Sequence, residues 1–171
     1  MKDFNFKPVS IGIILALLAL LAGMMHGMAF GANEDGIKKI FNANAEAAFA
    51  GNQDEIKEAS GEAWKTLKRA HYHFMGLGAM AVGLCLFAGI SGVSEKLKMA
   101  ASTLVGFGSL VYPLHFTLAS FKVSSAGEEV AHETYELVAQ AGAGSSFIGL
   151  ILIIVIAAKW AMGAQAKSSE A

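Results

Sequence analysis

Four stretches of this chain contain no Asp, Glu, Lys or Arg, and each is long enough to cross a bilayer: Pro8 to Asn33, Ala70 to Ser94, Met99 to Phe121, and Leu137 to Ala158. A hydrocarbon core needs roughly 20 mostly apolar residues in a helix, because in lipid only a helix or a closed barrel satisfies every backbone group. None of the four windows shows the polar face at 3.6-residue spacing that a water-soluble bundle would need, and 54% of the chain is hydrophobic. The expected fold is therefore all-α, an integral membrane four-helix up-down bundle forming a single membrane domain. Its spans fall at about 9–31, 70–92, 99–121 and 134–160, with a helical insert at about 34–69.

The first window also reads as a signal peptide, since Lys2 and Lys7 precede an apolar run that ends in small residues from Ala29 to Ala32. The run is longer than a signal core, so a retained helix is expected. Orientation follows from lysine in the short flanks, which insertion keeps cytoplasmic. Lys2 and Lys7, Lys96 and Lys98, and Lys159 and Lys167 fall on one side, whereas the opposite loop from Lys122 to Glu136 has one Lys and four Glu. An inner-membrane location with both termini cytoplasmic is expected.

The segment from Glu34 to Arg69 carries Ile40, Phe41, Phe49, Ile56, Trp64 and Leu67 among charges, as one or two amphipathic helices would. From about Asp54 it should run straight into the second span. Ser124 and Ser125 followed by Glu128 and Glu129 read as a helix start. Small residues mark the expected close contacts, Gly76, Ala79 and Gly83 on the second span and Ala141, Ser145 and Gly149 on the fourth. Gly76 and Gly78 alternatively leave room for a flat cofactor beside His73. Pro113 should free the Ser109 carbonyl and kink the third helix two residues before His115.

All five histidines lie toward one end of the spans. His26 is near the exit of the first, His71 and His73 open the second, His115 is near the exit of the third, and His132 precedes the fourth. With alternating helix directions these converge at the periplasmic face. Ionisable residues in membranes mark functional pathways, and imidazole ligates haem, copper and zinc. His26 and His115 fall at similar depth, about 8 to 10 Å below the face. In a square bundle, where the first and third helices are diagonal, they would face each other. The other diagonal offers His132 with His71 or His73; these two lie about 200° apart around the helix, so only one can point inward, and His73 is favoured.

This architecture and histidine placement resemble the small four-helix bis-histidine membrane cytochromes b. The resemblance implies one or two b-type haems, with His26 and His115 as one axial pair and His73 with His132 as a possible second. It further implies electron transfer between the quinone pool and a periplasmic redox protein or a larger membrane complex. Diheme members commonly carry haems near opposite faces, whereas the cytoplasmic half of this chain has no histidine. Lys68, Arg69 and Lys122 would be the cations for haem propionates, and Tyr72, Tyr112 and Tyr135 could hydrogen-bond a quinone. Covalent c-type haem is excluded, because Cys85 is the only cysteine.

Two other readings stand beside it. Met24, Met25, His26 and Met28 with His71, His73 and Met75 offer the thioether and imidazole donors that suit copper, though Met24 and Met28 also form a packing stripe. A non-catalytic accessory subunit anchoring a larger redox complex would use its histidines at an interface instead. Glu129 with His132 matches one half of a di-iron motif, which needs two. A net charge of −1 offers no nucleic-acid footprint, and the sequence has no phosphate-binding glycine loop.

Overall fold

The computed structural model describes residues 6–168, with side chains to Met162, and the described chain is helical apart from short connections. A 3-10 turn at Lys7–Val9, with Pro8 in it, leads into α1 (Ser10–Ala48). Then follow α2 (Gln53–Ile90), α3 (Glu95–Ala126) and α4 (Glu128–Ser168). All four are long and apolar enough to cross a membrane. Lys2 and the side chain of Lys167, two of the charges that orient the sequence reading, lie outside the described residues.

The segment between the first two spans is no separate element. α1 runs on past a kink at Asn33, where φ is −151° and ψ 41°, and α2 already begins at Gln53. Asn52 starts α2 by accepting the Glu55 N–H on its side-chain oxygen at 3.3 Å, with Asp54 and Glu55 in the positive first turn. The two extensions hold together around Phe41, fully buried among Ala63 and Leu67 of α2, Ala119 and Val123 of α3, and Ala131 of α4.

Ser124 and Ser125 do not open a helix, contrary to the sequence reading. They form the last turn of α3, and their hydroxyls donate back to the Phe121 carbonyl at 2.8 and 3.2 Å. The break falls at Gly127 alone, where φ is +84° and ψ 168°. That backbone region is open essentially to glycine only.

Helix packing also departs from the expected square. α1 packs along both α2 and α3, whereas α4 packs on α3, meets α2 at few positions and makes no close backbone approach to α1 among the described residues. Contacts from Gly12–Ser102 to Phe41–Phe121 rise together along α1 and α3, so these two run parallel. Gly78 against Leu20 and Gly27 against His71 set α2 antiparallel to α1, and Gly142 against Tyr112 with Gly149 against Val105 set α4 antiparallel to α3.

The cause is glycine on two sides of α3. A Cβ on Gly106 would collide with the Gly12 backbone, and one on Gly108 would collide with Ser146 and the Gly142 carbonyl. Positions two apart on a helix point about 200° apart, so α3 accepts α1 on one flank and α4 on the other. Gly76, Ala79 and Gly83, expected to line a helix contact, are exposed instead; the buried row on α2 is Gly78, Ala81, Cys85 and Ala88. Gly78 packs against Leu20 and the Ala16 carbonyl, so its missing side chain serves helix packing.

Candidate functional site

Four of the five imidazoles are held by Nδ1 on a main-chain carbonyl: His26 on Ala22 at 2.8 Å, His71 on Gly23 at 2.8 Å, His73 on Arg69 at 2.8 Å, and His115 on Tyr112. A carbonyl only accepts, so Nδ1 carries a proton, and in the neutral ring Nε2 keeps its lone pair. A ring fixed in this way is the usual partner arrangement of a ligating histidine.

The rings fall into two groups, because His71 and His73 leave α2 on opposite flanks. His71 reaches across to α1, where its ring lies 3.1 Å from the place a Gly27 Cβ would occupy, and Phe30 stands edge-on to both it and His26. The Nε2 of His26 accepts from the Thr117 hydroxyl of α3 at 3.2 Å. Both nitrogens of His26 are thereby engaged, and His71 joins α2 to α1. His73 turns the other way, onto Tyr112 at 5.4 Å and Phe116 at 5.0 Å between centroids.

His115 belongs to that second group. Its side is buried, only 5% exposed, and its ring lies 5.1 Å from Tyr112 and 3.8 Å from Phe116. Thr117 and His115 are two apart on α3, so the partner of His26 and the imidazole of His115 project to different flanks. His26 and His115, expected to face each other, are therefore not brought together. The square geometry behind that expectation fails because α1 and α3 are direct neighbours.

His115 instead opens toward α4. Beyond the backbone contact at Gly142, a cleft of about 310 Å3 lies among His115, His132, Glu133, Glu136 and Ala139. Cofactor pockets run from about 300 Å3 upward, so the space is of the right order. The donor set also fits an imidazole-ligated group: His115 has its tautomer fixed, and His132 on the facing helix has Nε2 3.4 Å from Glu128 Oε1. Glu128 in turn meets Arg69 of α2 at 3.8 Å, so one carboxylate links α2, α4 and the His132 ring. Lys68 lies over the Trp64 ring at 5.7 Å.

Met24, Met25 and Met28 are exposed on α1, while His26 turns inward to Thr117. Among the described residues no group of three or more His, Cys, Asp or Glu side chains converges as a metal-ligand set. Thr117, Phe30, Phe74 and Phe116 were not marked by the sequence reading, although Phe74 and Phe116 each lie one residue beyond a histidine. No protein-family model, curated protein or solved structure matches this chain.

Proposed function

We propose that the chain is an integral protein of the inner membrane, with both termini cytoplasmic and its histidine end periplasmic. On this reading it is a b-type cytochrome that passes electrons between the quinone pool and a periplasmic redox protein or larger membrane complex. The observation that carries the reading is that a buried, Nδ1-anchored His115 and His132 line one cleft between α3 and α4, with His73 on the same aromatic rings as His115.

His115, His132 and His73 are the residues that would hold the group, one haem at this site. When bound, haem supplies a one-electron couple, which two imidazoles restrict to electron transfer rather than ligand binding. The chain's own part is positional. The Tyr112 carbonyl fixes the His115 ring, the glycine contact at Gly142 sets the spacing of α3 and α4, and Phe116 and Tyr112 pack against the imidazole. His26 and His71 serve as interhelical ties through Thr117 and Gly23.

The test is a reduced-minus-oxidised visible spectrum of protein purified in mild detergent, with metal analysis on the same sample. A sharp b-type α band that His115→Ala abolishes and His26→Ala retains is the expected result. Stoichiometric copper without haem would replace this reading by the Met and His site. Neither, under conditions that retain cofactors, would leave an accessory subunit.

A further inference from the structure

A groove of about 420 Å3 runs between the part of α1 beyond Asn33 and the first half of α2. Asp35, Lys38, Lys39 and Asn42 line it from α1, and Ser60 and Trp64 from α2. Gly61 belongs to the same wall, and a Cβ there would meet nothing within 4 Å, so the wall leaves room. Trp64 is held from behind by Phe30, edge-on at 5.0 Å, and carries the ammonium groups of Lys38 and Lys68 at 5.3 and 5.7 Å from its ring centre. Lys38 also pairs with Glu34.

The lining is rich in donors: two ammonium groups, the Asn42 amide and the indole N–H. Such a set suits an oxyanion with several acceptor oxygens. Asp35 is the single carboxylate of the lining, and beside the Lys38–Glu34 pair it leaves the groove nearly charge-balanced. A ligand carrying both a phosphate and an ammonium complements that balance better than a plain anion does.

Height along the helices identifies the source. Lys38 lies five residues past the last charge-free residue of α1, about 8 Å, and Trp64 six residues before the charge-free window of α2, about 9 Å. The headgroup layer extends about 5–8 Å beyond the hydrocarbon on each side, so Lys38 and Trp64 stand at its outer edge, a level at which Trp is at home. We propose that this groove binds the phosphoethanolamine headgroup of a phospholipid in the leaflet on the histidine side, with Lys38 and Lys39 on the phosphate and Asp35 on the ammonium. The proposal rests on the membrane-spanning part of the function proposed above and is independent of the haem.

Native mass spectrometry of the purified protein, titrated separately with phosphatidylethanolamine, phosphatidylglycerol, diacylglycerol and inorganic phosphate, tests it. The fluorescence of Trp64 in a Trp160→Phe background reports whether binding is local. The expected result is saturable binding of one phosphatidylethanolamine with a matching Trp64 change, weakened roughly fivefold for each of Lys38→Gln and Lys39→Gln. Circular dichroism of both variants separates lost binding from lost folding. Equal or tighter phosphatidylglycerol binding would overturn the headgroup assignment, a Trp64 response to inorganic phosphate alone would overturn the lipid, and no saturable response would overturn the site. A carbonate-extraction result showing a peripheral protein would instead remove the membrane reading itself.

Discussion

Gly106 and Gly108 decide which helices meet, because each lets a different neighbour reach the α3 backbone. Replacing Gly108 by Val must push Ser146 and the Gly142 carbonyl away, and overpacking of this kind costs about 1–3 kcal/mol. Gly76→Val serves as the control, since nothing lies within 4 Å of its Cβ position. Thermal unfolding in one detergent should separate the two variants, with Gly76→Val near the parent; equal losses would contradict the packing described. The sequence could not rank these glycines. A span that is apolar all round has no polar side to mark the outside, so Gly76–Ala79–Gly83 and Gly78–Ala81–Cys85 read alike until neighbours are placed. The histidines were easier to read, since the i, i+2 spacing of His71 and His73 already requires different flanks. What the sequence did not carry is that both flanks are used, one against Gly23 and the other against Tyr112.

Helix ends follow local chemistry more closely than span lengths do. The start of α2 near Asp54 was legible, and Asn52 with Glu55 explains it. The α3–α4 junction was misread because serines followed by glutamates imitate a cap, yet the buried serines of α3 return their hydroxyls to their own helix. Ser102, Ser109 and Ser120 do so at 3.2, 2.8 and 2.7 Å, as Ser124 does. The turn rests on Gly127, the single residue between the two helices. Gly127→Ala should therefore cost about 1–3 kcal/mol, read as a lower denaturation midpoint by circular dichroism. A variant as stable as the parent would mean that the junction can adopt another backbone path.

For the whole molecule, four long apolar helices and their alternating direction were legible from charge-free windows, but their neighbours were not, because hydropathy carries no information on which helix touches which. The proposed orientation is tested by single cysteines in a Cys85→Ala background. A cysteine at Ser125 should react with an impermeant maleimide in intact spheroplasts, and one at Gly92 only after permeabilisation. The reverse pattern would invert the protein and move its histidine end to the cytoplasm.

The lopsided packing of α4 has a consequence for the order in which the protein is made. Every helix partner of α1 and α2 except a few α4 positions lies within residues 7–126, so α1, α2 and α3 can close on one another while the rest of the chain is still in the ribosome. α4 is 41 residues long, and at about 5–20 residues per second its synthesis takes about 2–8 s. For that interval His115 stands beside a missing wall. If the proposed haem is what the cleft takes, it would enter sideways in that interval, and the last helix to emerge would shut the door behind it.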